Sequence, residues 1–322
     1  MTRKKVAVAG ATGLVGRKML EVLEERRFPI ESLKLFASRR SAGMLIPFRG
    51  EKLVVEELTE NSFEGLDIAL FSAGGKTARH FAPLAASAGC VAIDNSSAWR
   101  RERPLVVPEV NPEDIDPREG IIANPNCSTI QLVVALKPIL DTFGLRRVCV
   151  STYQSITGAG QKGLDKLRKE LDGEPTEDKH PIAFNAIFHP ISELEPDMTV
   201  EESKMHYEIR KILHAPELPL NVTCVRLPIL GGHGESVNFQ TVRATTPDAV
   251  REVLRHSPGI KVIDDLALEA YPTPQMASDT DDVYVGRIRR DSSLENGFNL
   301  WCVSDNVRKG AATNAVQIAE LL

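Results

Sequence analysis

Near the N-terminus the run Val6-Ala7-Val8-Ala9 passes directly into Gly10-Ala11-Thr12-Gly13-Leu14-Val15-Gly16, and an amphipathic stretch follows from Leu14 to Glu25. A buried strand that turns through glycines into a helix leaves few folds open. The glycines let the backbone reverse tightly and let a pyrophosphate approach the helix N-terminus. The spacing is GxxGxxG and departs from the commoner GxGxxG, but its place at the start of a strand–helix–strand pattern points to dinucleotide binding. Contacts to such a ligand are expected at Gly10, Thr12, Gly13, Leu14 and Val15.

Further short apolar runs at Leu33–Ala37, Asp67–Ser72 and Val91–Asp94, with a helical stretch from Lys76 to Ala88, predict a doubly wound parallel sheet. An acidic residue ending the second strand would accept from a ribose 2′-hydroxyl. Here that strand runs into Ser38-Arg39-Arg40-Ser41. Two cations and two hydroxyls suit a 2′-phosphate, so NADP is the cofactor expected.

After Asn124-Pro125-Asn126 the pattern changes. A helix is expected over Ser128–Leu140, a strand over Arg147–Ser155 and a long loop over Leu171–Pro190. A charged helix follows over Val200–Leu213. Strands at Asn221–Leu227, Ser236–Ala244, Asp282–Arg289 and Gly297–Val303, without regular helices between them, imply a mixed or antiparallel sheet. A chain of 322 residues is long enough for two domains. The fold class is therefore α/β: a Rossmann-type domain over 1–125 and a mixed-sheet α+β domain over 126–308. The helix over 309–322 is expected to return to the first domain.

Composition narrows the partners. With 39 basic and 44 acidic residues, the net charge is −5, and no basic cluster invites nucleic acid. No run reaches the roughly 18 apolar residues of a membrane span, and no leader precedes the first strand. Five scattered cysteines without a CxxC pair argue against a disulfide framework or a zinc site, and for a reducing cytoplasm. No metal is expected.

Among the cysteines, Cys127 stands apart. It follows Pro125-Asn126 at the start of an apolar helix, where the positive pole favours thiolate and the next backbone N–H groups can receive an oxyanion. Cys149, Cys224 and Cys302 sit in strand-like runs, and with Cys90 they read as structural. A thiol nucleophile needs an acid–base partner. Of seven histidines, His233 in Gly231-Gly232-His233-Gly234 is set in a glycine-flanked turn between strands and is a candidate.

Taken together, Gly10–Gly16, Pro108-Glu-Val-Asn111, Asn124-Pro-Asn-Cys-Ser-Thr-Ile130, Thr152–Gly160, Pro181-Ile-Ala-Phe-Asn185 and Ser304-Asp-Asn306 to Gly310-Ala-Ala312 resemble the aspartate-semialdehyde dehydrogenase family, bacterial branch. The resemblance runs over nearly the whole chain. It implies an NADP-dependent, phosphorylating aldehyde dehydrogenase that works through a cysteine thioester. The reaction would be reductive dephosphorylation of L-aspartyl-4-phosphate to L-aspartate-4-semialdehyde, in lysine (diaminopimelate), threonine and methionine biosynthesis. Cys127 then takes the place of the nucleophile and His233 that of the acid–base residue. Gln154 orients the substrate, Arg226 clamps its α-carboxylate and Glu201 meets its amino group. Lys204, Asn126 and Arg100 hold phosphate. Ser72, Gly74, Gly158 and Asn306 add to the cofactor set, and a homodimer through the second domain is implied. Three departures stand out. The Trp99–Pro104 stretch is short, so either Arg100 or Arg103 is the phosphate ligand. The loop after Leu171 is short, and Ile187-Phe188-His189 replaces a more usual string. A reductase of the N-acetyl-glutamyl-phosphate type, or an NADP-binding sensor without chemistry, are the alternatives.

Overall fold

A computed structural model describes residues 2–176 and 178–322; of the expected loop, Glu177 lies outside the described residues. The chain divides into two compact units, one formed by Met1–Asn126 with Ala311–Leu322 and the other by Cys127–Gly310.

In the first unit, β1 (Lys4–Ala9) leads through the glycine turn into α1 (Leu14–Glu25). Met19, Leu20, Val22 and Leu23 form the buried face of α1, the spacing expected of an amphipathic helix. Then follow β2 (Ile30–Ala37), β3 (Leu45–Phe48), β4 (Glu51–Glu57), β5 (Ile68–Phe71), α2 (Gly75–Ser87), β6 (Val91–Asp94) and β7 (Ile121–Ala123). The sheet order is β3-β4-β2-β1-β5-β6-β7, parallel except for the antiparallel β3–β4 pair. The sequence reading did not foresee β3, β4 and β7. The first two make a hairpin closed by Arg49 and Gly50, both at positive φ, which is the conformation a tight two-residue hairpin turn requires. The helix Asn314–Glu320 packs in this unit, burying Ala315, Val316, Ile318 and Ala319.

The second unit starts with α3 (Cys127–Phe143), buried on nearly every side from Ser128 to Leu136. A helix so enclosed needs no polar face. Next come β8 (Leu145–Gln154), α4 (Gly160–Leu171), β9 (Ile187–Phe188), α5 (Val200–Ile212), β10 (Leu220–Arg226), β11 (His233–Thr241), α6 (Pro247–Arg255), β12 (Ile260–Val262), β13 (Val283–Arg290) and β14 (Gly297–Ser304). The sheet order is β12-β13-β14-β11-β8-β10-β9. β8 and β10 run parallel, as do β12 and β13, and the remaining neighbours are antiparallel. The mixed sheet is as expected. The run of strands without helices is not: α6 stands between β11 and β12, opened by a Thr246 cap and Pro247, and α4 was not anticipated. Nor does His233 project from a turn, because it is the first residue of β11. No helix among the described residues is long and apolar enough to cross a membrane.

Candidate active site

The glycine turn of the first unit leaves no room for a side chain at two of its glycines, Gly10 and Gly16. Gly10 sits at φ 88°, and a Cβ on it would fall 2.4 Å from the Ser72 carbonyl oxygen. A Cβ on Gly16 would fall 2.2 Å from the Gly10 carbonyl oxygen, so α1 is drawn tightly onto the loop. Gly13 is the N-cap of α1, placing Leu14 and Val15 in the first turn. Beside this turn lies a cavity of about 410 Å³, bordered by Gly10, Thr12, Gly13, Ser38, Arg39 and Ser72, with Glu57 on its rim. Ser38 caps a short turn over Arg39–Ser41. Ser38, Arg39 and Arg40 are exposed, so one hydroxyl and two cations face solvent at this end of β2. Gly74, at φ 82°, caps α2.

Arg100 is buried in this unit, its Nη2 donating to the Asn95 carbonyl at 3.0 Å. Arg103 instead pairs with Glu119 at 2.8 Å on the surface and lies 5.8 Å from the Trp99 ring centre. Asn126, also buried, is the last residue of the unit's N-terminal segment.

In the second unit Cys127 opens α3, and its Sγ lies 3.3 Å from His233 Nε2. The Ser155 N–H donates to Nδ1 of the same ring at 3.0 Å, while the Gly232 carbonyl beside it favours the protonated form. Burial dominates, with Arg226 adding to it, and the His233 pKa is pushed down to about 3. The imidazole is therefore neutral, with one ring N–H and one acceptor nitrogen, and it lies close enough to the Cys127 thiol to exchange a proton with it. Gly310 packs on Cys127, for a Cβ there would fall 2.9 Å from Cys127 Cβ.

Around this pair stand the substrate candidates. Gln154, at the end of β8, is fully buried and donates to Ser128 Oγ at 2.8 Å and to Glu201 Oε1 at 3.3 Å. Glu201 and Lys204 share a face of α5, joined at 3.1 Å, as an i,i+3 pair should be. A capping box sets the start of α5. Glu202 accepts from the Thr199 N–H at 2.7 Å and Thr199 Oγ1 from the Glu202 N–H at 3.3 Å. The other carboxyl oxygen of Glu202 accepts from the Cys224 N–H of β10 at 2.9 Å. Arg226, at the end of β10, donates from Nη1 to the Ser155 carbonyl at 3.1 Å.

Two residues placed with the cofactor by the sequence have other neighbours here. A Cβ on Gly158 would fall 3.1 Å from Arg226 Nη1 and 3.4 Å from His233 Nε2. Asn306 Oδ1 accepts from Ser155 Oγ at 3.0 Å and Thr157 Oγ1 at 3.1 Å, tying down the turn that carries Gly158. Two acids or bases escaped the sequence reading. His189 touches Gln154 at 2.7 Å and Arg226 at 3.4 Å; its only sequence signal was the unusual Ile187–His189 string. Glu235, two residues past His233, is fully buried within β11.

Three of the remaining thiols differ from Cys127, whereas Cys149, on β8, is half-buried like it. Cys90, Cys224 and Cys302 are buried. Burial pushes the Cys90 thiol up to about 12 and raises those of Cys224 and Cys302 as well. Among the described residues, no group of His, Cys, Asp and Glu is disposed to hold a metal ion.

The first unit's residues 5–117 match the semialdehyde dehydrogenase NAD binding domain, and residues 136–309 match the semialdehyde dehydrogenase dimerisation domain. The aspartate-semialdehyde dehydrogenase of Aquifex aeolicus is 53% identical over 99% of this chain and 97% of its own length. The chain belongs to the aspartate-semialdehyde dehydrogenase family. Among solved members, aspartate semialdehyde dehydrogenase II from Vibrio cholerae, complexed with ASA, is 47% identical, with a TM-score of 0.95 over 100% of this chain and 98% of its own. The aspartate semialdehyde dehydrogenase with NADP from Candida albicans is 28% identical, with a TM-score of 0.79 over 100% of this chain and 98% of its own. Within that family framework, the second unit brings Cys127 Sγ to 3.3 Å from His233 Nε2, with the Arg226 guanidinium close by.

Proposed function

We infer that this chain is an NADP-dependent aspartate-semialdehyde dehydrogenase whose nucleophile is Cys127. The observation that carries the assignment is the 3.3 Å contact of Cys127 Sγ with His233 Nε2 at the N-terminus of α3. The Cys127 thiolate attacks the acyl-phosphate carbonyl; a C–S bond forms, and the C–O bond to phosphate breaks. Lys204 receives the leaving phosphate, and Arg100 and Asn126 are the proposed phosphate contacts of the first unit. Arg226 binds the α-carboxylate, for which a planar guanidinium is suited. Glu201 meets the amino group, and Gln154 orients the acyl carbon against the sulfur.

The residues of the first unit fit NADP. Gly10, Thr12, Gly13, Leu14, Val15, Ser72 and Gly74 would hold the pyrophosphate region, and Ser38, Arg39, Arg40 and Ser41 the 2′-phosphate. Gly158 and Asn306 belong to the proposed cofactor set through their turn beside His233. When bound, NADPH supplies the hydride that reduces the acyl group. His233 gives the proton it took from the Cys127 thiol to the thiohemiacetal oxygen, and recovers it as the C–S bond breaks and the aldehyde leaves. In the oxidative direction it is the base.

We also place the enzyme in the cytoplasm, on the strength of its five scattered cysteines without a CxxC pair, and assign it a homodimer built on the second unit. A coupled assay with aspartate semialdehyde, phosphate and either NADP or NAD tests the activity. Cys127→Ala should lose about a thousandfold or more in kcat; a variant near parental activity would sink the thioester mechanism. N-acetyl-glutamyl phosphate should not be turned over.

A further inference from the structure

β9 pairs antiparallel with β10, Ile187 opposite Arg226, and the chain leaves this short ladder at His189. The ladder thereby carries an imidazole to the end of β10. Its two nitrogens meet two different partners, Nε2 with Gln154 Oε1 at 2.7 Å and Nδ1 with Arg226 Nη2 at 3.4 Å. A guanidinium can only donate, and an amide oxygen can only accept. One neutral tautomer satisfies both: Nδ1 accepts from Arg226, and the Nε2–H donates to Gln154. Burial keeps the ring neutral, pushing its pKa down to about 4; Glu201 works against this and Arg226 with it.

The consequence falls on Gln154. With its Oε1 held by His189, its NH₂ group is turned to Ser128 Oγ and Glu201 Oε1. A reversed amide would set two donors face to face at the imidazole. For Arg226, the ties to Ser155 and His189 engage Nη1 and Nη2, and a guanidinium's five N–H groups leave others to meet a carboxylate.

We propose that His189 is a positioning residue that links Arg226 to Gln154 in one donor-to-acceptor relay, fixing the carboxylate clamp and the amide that presents the acyl carbon as a single unit. The proposal rests on the assignment of Arg226 and Gln154 to the substrate. Cys127 and His233 stand outside the relay, so it governs how the amino-acid end is held rather than how reactive the thiol is.

Steady-state kinetics with aspartate semialdehyde, phosphate and NADP, paired with the iodoacetamide alkylation rate of Cys127, test it. His189→Phe keeps a ring and removes both hydrogen-bonding atoms. It should raise the KM for aspartate semialdehyde roughly tenfold or more and leave the alkylation rate within about twofold. His189→Gln, whose amide can donate and accept, should stay within about threefold of the parent in kcat/KM. Because His189 acts through Arg226, adding His189→Phe to Arg226→Ala should bring little further loss. Should the Phe variant fail to fold, His189→Asn, too short to span both partners, takes its place. The proposal is overturned if the Phe or Asn variant keeps the parental KM, if Gln loses as much as Phe, or if the losses of His189→Phe and Arg226→Ala simply multiply. An Arg226→Ala variant with unchanged KM would instead remove the clamp assignment beneath it, a failure distinguishable from the others because it involves no change at His189.

Discussion

Individual side chains here are set by what they touch rather than by their type, and Glu235 shows this best. Its carboxyl lies in the middle of β11, opposite Thr152 on β8 and Cys302 on β14. Neither oxygen receives a well-aligned hydrogen bond, and the nearby Gln131 amide offsets burial only in part. Burial holds its pKa well above the usual carboxylate range. The fold therefore favours the protonated form. Below the unfolded-state pKa of 4.5 both states carry the proton and nothing is lost. As pH rises through that value, the unfolded chain releases its proton while the native chain resists, so Glu235 destabilises the fold at neutral pH. Glu235→Gln, permanently neutral, should therefore raise stability by about 1 kcal/mol at neutral pH, a gain of roughly 2–4 °C in Tm. That gain should shrink near about pH 4. Scanning calorimetry at the two pH values checks it; a gain larger in acid would contradict the assigned direction.

Elements rather than residues decide how α5 delivers its pair of charged groups. Glu202 is both partner in the Thr199 capping box and acceptor for the Cys224 N–H. One carboxylate thus fixes where the helix begins and moors it to β10. Glu202→Ala strands two N–H groups and should destabilise the protein by about 2–3 kcal/mol. The KM for aspartate semialdehyde should rise with it, since Glu201 and Lys204 ride on that turn. Urea unfolding and steady-state kinetics read the two effects, and an unchanged KM would separate the moor from the site. Much at this scale was legible beforehand. The bounds of α1 and β6 follow from apolar spacing, and Cys127 was singled out by its place before an apolar helix. What was missed had weaker local signals. β3 and β4 are short strands with mixed polarity on either side of Arg49-Gly50, and α4 is interrupted by glycines at 160 and 163. Arg226, Glu201 and Lys204 were picked out through family likeness, because nothing local marks an arginine as facing a cleft. His189 was not picked out at all. Its proximity to Arg226 is made by the β9–β10 ladder, a pairing across more than thirty residues of sequence that apolar periodicity does not encode.

The second unit is the part of the chain that matches a dimerisation domain. Helices α3 and α6 pack on its sheet. On another part of the sheet Trp301 lies over Gly234 and 5.5 Å from Tyr153, beside a cavity of about 460 Å³ bordered by Ser236, Tyr271, Arg287, Arg289 and Trp301. We propose this face as the seat of the homodimer, since an isologous contact needs one self-complementary patch. Ser236→Arg places a long cation there and should shift the species seen in analytical ultracentrifugation from dimer to monomer; a dimer as tight as the parent's would move the interface elsewhere. The first unit has a different lesson. It is assembled from the two extremes of the sequence: Arg26 pairs with Glu320 at 2.6 Å, Lys4 Nζ donates to the Leu322 carbonyl at 3.0 Å, and Asn314 reaches Asn124 at 2.7 Å. On the ribosome, where chains emerge N-terminus first, the nucleotide domain must then wait. Part of its core stays uncovered while the second unit is synthesised, so a helix translated after that unit closes a core begun before it.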